Sequence, residues 1–141
     1  MSHAHTSQRA PESLGPYPHA RRVGSLLFLS GMGPRQRSQC TVPGLDLDAE
    51  GRIMRYDIDA QCRATFDNVR AVLEDAGSSW ERLIDVTVFL TDLERDFATY
   101  NRVYDEYFYA VRPCRTTLGV ARLPGPIAIE LKCIATCPEQ P

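Results

Sequence analysis

The chain has 141 residues, 43% of them hydrophobic, enough for one full core, and no Gly/Ser-rich or low-complexity stretch separates a second domain. Its formal net charge is -2 and its pI about 5.9, with lysine and arginine scattered along it, so it lacks the electrostatic footprint of a nucleic-acid binder and no nucleic-acid partner is expected. No apolar run leads the chain as a secretory signal and no membrane partner is expected.

Residues 1–13 are polar and aperiodic and are expected to be a loose, flexible tail ahead of a single domain over 14–141. Structure is expected to begin at GPYPHARRVGSLLFLSG, where Gly15, Pro16 and Pro18 give an extended entry carrying Tyr17. Residues 21–23 and 26–30 then read as two short strands around Gly24 and Ser25. Ser30 and Gly31 end the second strand, where a glycine leaves the backbone amide open to close approach, although a plain strand exit would look the same. Residues 34–52, broken by Pro43, Gly44 and Gly51, read as a long loop, followed by a short strand near 53–56.

Asp57 reads as a helix N-cap. Cys62, Phe66, Val69, Leu73 and Ala76 then recur at intervals of three and four, and Gly77 follows as a stop, so the pattern predicts an amphipathic helix. LIDVTVFLT alternates as a strand with one buried face, on which Ile84, Val86, Val88 and Leu90 are expected. A second helix is predicted over about 94–108, with Phe97, Tyr100, Val103, Tyr104, Tyr107 and Phe108 as a wide apolar and aromatic stripe that reads as core. Asn101, a poor helix former, sits beside that stripe as a candidate contact residue.

The chain closes with RPCRTTLGVARLPGPIAIELKCIATC. Arg115 opens one strand and Glu130 interrupts the next. A period of two places Ile127, Ile129, Leu131 and Cys133 on one face, and Ala128, Glu130, Lys132 and Ile134 on the other. The turn residues of LPGP lead us to expect the two strands side by side or nearly so, with Arg115 and Glu130 in reach of one small substrate. Spacing alone favours a simpler role, a cross-strand ion pair worth at most about 1 kcal/mol.

Five cysteines, Cys40, Cys62, Cys114, Cys133 and Cys137, make an odd count with no CxxC, which suggests reduced thiols and a cytoplasmic location. Cys133 and Cys137 lie roughly 13 Å apart along an extended strand, too far for a disulfide, and read as packing residues. With His3, His5 and His19 all near the N-terminus, no metal site assembles and none is expected.

The element order predicts an α+β fold, with two helices on one face of a mainly antiparallel sheet. The other face, bearing Phe89 and Ile134, is expected to meet further subunits and so to put site residues at a subunit boundary.

The segments GPYPHARRVGSLLFLSG, DAQCRATFDNVRAVLEDAG, VTVFLTDL, FATYNRVYDEYF, CRTTLGVARLP and IAIELKCIA, in this order, resemble the Rid family, the YjgF-type reactive-intermediate deaminases. The likeness spans nearly everything from 15 to 135. It implies a chorismate-mutase-like fold, a homotrimer with clefts between subunits, and cofactor-free hydrolysis of enamines or imines to carbonyl compounds and ammonia. It also implies that Arg115 holds a substrate carboxylate and that Glu130 is the site's acid. Tyr17, Ser30, Gly31, Asn101 and Thr117 fall on the remaining cleft positions. Two departures, a longer loop over 35–55 and PCRTT where many members read PARS, together with YPHARR and PIAIELK, resemble the 2-aminomuconate deaminase subgroup.

These side chains suit that chemistry. An imine carbon is already electrophilic, so deamination needs a held carboxylate, a placed water and a proton relay. The planar fork of Arg115 can grip a carboxylate through two hydrogen bonds, and a partly desolvated Glu130 can orient water and pass its proton to nitrogen. 2-Aminomuconate has a second carboxylate, for which Arg35, Arg37, His19 and Arg112 are all candidates. A general 2-imino acid deaminase that removes reactive enamines, or a non-catalytic trimer that binds small carboxylates, remains the alternative; a binder would need the arginine but not the acid.

Overall fold

The computed structural model describes residues 2–38 and 41–139, so Cys40 lies outside the described residues. Eight strands and two helices follow in the order β1 (Ser2–His5), β2 (Ala20–Val23), β3 (Leu26–Leu29), β4 (Asp46–Leu47), β5 (Ile53–Arg55), α1 (Ile58–Asp75), β6 (Leu83–Leu90), α2 (Leu93–Phe108), β7 (Cys114–Gly119) and β8 (Ile129–Thr136). Six strands form one sheet in the order β1-β2-β3-β8-β6-β7, with every neighbouring pair antiparallel except β6 and β7; β4 and β5 make a separate hairpin inside the long loop.

Both helices start on aspartates that accept from the first turn, Asp57 from the Ala60 amide and Asp92 from the Arg95 amide. Helix α1 stops at Gly77, whose φ of +84° suits a residue without a Cβ. Cys62, Phe66, Val69 and Leu73 of α1 and Tyr100, Val103 and Phe108 of α2 are buried against Val86, Val88 and Leu90 of β6 and Ile129, Leu131, Cys133 and Ala135 of β8. The helices therefore cover one face of the sheet, as the patterns predict. The second face carries Phe28, Phe89, Leu118 and Ile134, of which Phe28 and Leu118 are 36% and 44% exposed.

Three expectations need correction. Residues 2–13 are not a loose tail. β1 pairs with β2 over four residues, Ala10 is fully buried, the Ser7 hydroxyl donates to Asp75 and Arg9 bridges to Glu74 and Asp75. These bonds are made by backbone and polar groups, which leave no apolar period to read. Second, a bulge in β6 makes Ile84 the extra residue, so it is exposed while Leu83 and Val86 turn inward. Third, Phe97 is 41% exposed, its ring packing edge-on against Tyr100 with centroids 5.9 Å apart.

Gln61 ties the helix layer to the start of β8. Fully buried on α1, it accepts the Ala128 amide at 2.8 Å through Oε1, two residues ahead of Glu130. Gln61→Leu would strand that buried amide while keeping the volume, so we expect a loss of about 1–3 kcal/mol in the denaturant midpoint analysis.

Candidate functional site

Strand parity decides where the two charged candidates go. In the β6 and β8 ladder Glu130 is opposite Phe89, which lies beside Leu118 of β7, so all three share the open face. Arg115 lies beside Val86, itself opposite Cys133, and both of those are buried under the helices. Arg115 and Glu130 therefore point to opposite faces of the sheet. The LPGP segment does not join adjacent strands either, since β6 runs between β7 and β8. Within the chain the expected convergence fails, and among the described residues no ion pair links the two.

On the Glu130 side, Tyr17, Ser30, Gly31, Arg35 and Glu130 line one cavity together with His19. The backbones of Met32 and Leu131 exchange hydrogen bonds of 2.8 and 2.9 Å, which clamps the chain after β3 onto β8 right beside Glu130. Gly31 consequently packs so close that a Cβ there would sit 2.8 Å from Oε2 of Glu130. A side chain at this position would displace the carboxylate rather than the backbone. Glu130 is half-buried, makes no hydrogen bond or ion pair among the described residues, and burial alone pushes its carboxyl above the ordinary glutamate value. Tyr17 is 45% exposed, its hydroxyl accepting from the Leu14 amide at 3.1 Å; the Ser30 hydroxyl donates to the Pro18 carbonyl at 2.7 Å.

On the Arg115 side, Asn101, Tyr104, Arg112 and Arg115 line a second, open cleft between α2 and the edge strand β7. Arg115 donates through Nη1 to Oδ1 of Asn101 at 2.9 Å, and its guanidinium lies 4.5 Å from the centre of the Tyr104 ring. One edge of the fork is thus fixed and the cation is seated on an aromatic face. Thr117 lines neither cavity; it shares a 2.8 Å hydrogen bond with the Tyr100 hydroxyl and so braces β7 against α2. Tyr104 is the residue missed as a site group. It is stacked on Phe108 with its buried hydroxyl unpartnered among the described residues, and burial raises the hydroxyl's pKa. Its spacing from Asn101, three residues on one helix face, was the available signal.

No group of three His, Cys, Asp or Glu among the described residues is placed to hold a metal ion, and no helix there is long and apolar enough to cross a membrane.

Residues 7–137 match the family described as endoribonuclease L-PSP. The chain belongs to this family, the Rid or YjgF-type proteins. It is 38% identical over 130 residues to a RutC family protein of Pyrococcus abyssi, covering 92% of each chain. It is 35% identical over 138 residues to the 2-iminobutanoate/2-iminopropanoate deaminase of Escherichia coli, covering 96% of this chain and 98% of that one. The crystal structure of Escherichia coli TdcF with bound serine superposes with a TM-score of 0.81 at 35% identity, over 95% of this Rid chain and 98% of TdcF. Relatives of this Rid protein are thus named as reactive-intermediate deaminases.

The isolated Glu130 carries a stability signature. Its folded pKa is raised, so the native state keeps the proton in a window where the unfolded chain has already lost it. Stability from this group is fully present below the ordinary glutamate value and declines as pH rises through the folded value. Glu130→Gln removes that decline. We expect the variant to melt at or above wild type at pH 7, with the gap closing as the pH is taken below about 4.3. A wild type more stable by up to about 1 kcal/mol at pH 7 would instead mark a cross-strand ion pair.

Proposed function

We propose that the chain is a hydrolase that converts an enamine or imine to a carbonyl compound and ammonia, with 2-aminomuconate as substrate and 4-oxalocrotonate as product, in cytoplasmic degradation of aromatic compounds. The observation that supports the reading is the presence of two complementary half-sites: a guanidinium anchored to Asn101 along one edge, and a half-buried carboxylate without a partner among the described residues. We further propose that a homotrimer brings the Arg115 and Asn101 half of one subunit against the Tyr17, Ser30, Gly31 and Glu130 half of the next. The open sheet face with Phe28, Phe89, Leu118 and Ile134 would supply the contact.

In this reaction Arg115 holds the substrate carboxylate, and the Gly31 amide, which enters no backbone hydrogen bond among the described residues, adds a donor. An enamine first takes a proton at carbon and gives one up from nitrogen to become the imine. Glu130 orients a water whose oxygen bonds to the imine carbon, and receives the water's proton. It delivers that proton to nitrogen to give the carbinolamine, then carries the hydroxyl proton to the same nitrogen, so that the C–N bond breaks, ammonia leaves and the oxygen remains as the carbonyl. A general 2-imino acid deaminase is the second reading, favoured by the name of the Escherichia coli relative with 35% identity.

The test is ammonia release from enzymatically generated 2-aminomuconate and 2-iminopropanoate. We expect acceleration of both, faster for 2-aminomuconate; no acceleration of either would leave a carboxylate-binding trimer. Glu130→Gln should lower kcat by roughly 10²-fold with KM little changed, whereas Arg115→Lys should recover little of what Arg115→Ala loses, because a point charge does not replace the fork.

The division of the site between subunits gives a separate outcome. Arg115→Ala and Glu130→Gln, each nearly inactive alone, should regain activity when co-refolded. A random equal mixture leaves about a quarter of the clefts with both native halves. No recovery in mixed oligomers would overturn the shared cleft.

A further inference from the structure

The structure distinguishes between the four side chains considered for a second substrate carboxylate. His19 is committed: the Ser7 amide donates to Nδ1 at 2.8 Å, which leaves the proton on Nε2 for the Pro11 carbonyl at 2.6 Å. Arg37 is spent on the N-terminal segment, donating to the Ser7 and Ala10 carbonyls at 3.1 and 2.8 Å and lying 3.4 Å from the Glu12 carboxylate. Arg112 lines the same cleft as Arg115, with its Nε on the Tyr109 carbonyl and its guanidinium over the Tyr109 ring, so it can reinforce the first carboxylate but does not face the Glu130 half.

Arg35 is different. It is half-buried in the wall of the Glu130 cavity, and its one hydrogen bond among the described residues runs from Nη2 to the Glu12 carbonyl at 3.2 Å, so that among those residues the rest of the fork makes no hydrogen bond. Its backbone is also held. Nδ2 of Asn68, on α1, donates to the Gly33 and Arg35 carbonyls, both at 2.9 Å, and Pro34 between them is buried. A position in the middle of a long loop is thereby fixed from the helix layer. Glu12, an acid on the same cavity wall, lies 3.4 Å from Arg37, and its own backbone hydrogen bond together with the charges of Arg37 and Arg35 holds its carboxyl below the ordinary range.

We propose that Arg35 binds a second carboxylate, so that the site selects dicarboxylic imines or enamines; this rests on the deaminase reading above. A substrate held by its first carboxylate at Arg115 must bring its reacting carbon to Glu130, and whatever extends past that carbon enters the cavity where Arg35 stands. Bidentate pairing with a guanidinium in a partly desolvated wall then favours an anionic end over an apolar one.

The test separates binding from turnover. Calorimetric titration of the assembled wild-type protein compares cis,cis-muconate with 2,4-hexadienoate, which has the same six-carbon diene but a methyl in place of one carboxylate. We expect muconate to bind roughly 10-fold to 100-fold more tightly. Arg35→Gln should reduce that ratio to about 3-fold or less with hexadienoate affinity unchanged, Arg35→Lys should keep part of it, and Arg112→Gln should preserve it. A wild type without the preference overturns the proposal, as does a preference that survives Arg35→Gln, one lost only in Arg112→Gln, or an equal loss of both ligands in Arg35→Gln. A protein that discriminates as expected but releases no ammonia from any imine would overturn the deaminase reading and leave the dicarboxylate site standing. Ammonia release without discrimination would do the reverse.

Discussion

The antiparallel register of β8 between β3 and β6 is the constraint on which the rest depends. Because side chains alternate, the same pairing that buries Ile129, Leu131, Cys133 and Ala135 under the helices must turn Glu130 to the opposite face. A slip of one residue would bury a carboxylate and a lysine and expose four core side chains, so the core itself holds Glu130 in place. The backbone bonds between Met32 and Leu131 and the Gln61 contact to Ala128 pin that register on either side of the acid. Site geometry and core stability are therefore one problem. The acid keeps its isolation because its neighbours are occupied with each other.

Arg115 follows from a different use of the same sheet. Its strand lies at the edge and runs parallel to β6, which directs residues 115 and 117 toward α2. An arginine on the covered face would be costly in the middle of the sheet, where its charge would be fully desolvated. At the edge it stays exposed, rests on the Tyr104 ring and bonds to Asn101, while Thr117 engages Tyr100 one step further in. The polar pairs along α2 thus continue the apolar packing of the helix outward, each providing a side-chain oxygen or ring face to β7. Asn101 is poor for the helix and good for the arginine.

Much of this was legible in the sequence, and the failures have definite causes. The cap at Asp57, the period of α1 and the alternation of β8 are local patterns, and each is where the sequence predicts it. Strand adjacency is not local. LPGP suggests a tight connection, but a parallel β7 places β6 between the two charged strands, and nothing between 119 and 129 encodes that. The N-terminal segment was unreadable for another reason: Ser7, Arg9 and His19 hold it by polar contacts with partners up to 68 residues away, which no periodicity anticipates. The residues that resemble the Rid pattern were found individually, while their division between two faces became visible only with the register.

That division has a consequence for charge. In the proposed reaction the first carboxylate of the substrate is neutralised by Arg115, yet the bound molecule still brings negative charge toward Glu130, whose proton affinity burial has already raised. Closing the cleft removes water and strengthens both effects. Each favours the protonated acid, the form that can deliver a proton to the leaving nitrogen, whereas activation of water requires the ionised form. A second cation near the acid would hold these demands in balance, because a guanidinium that meets the distal carboxylate cancels the very charge that would otherwise keep Glu130 protonated. Arg35, on the wall of the same cavity and anchored through Asn68, occupies the position from which a side chain can do this. A substrate without a distal carboxylate brings less charge and needs less compensation, so one acid can serve both substrate classes while the loop arginine sets the preference between them.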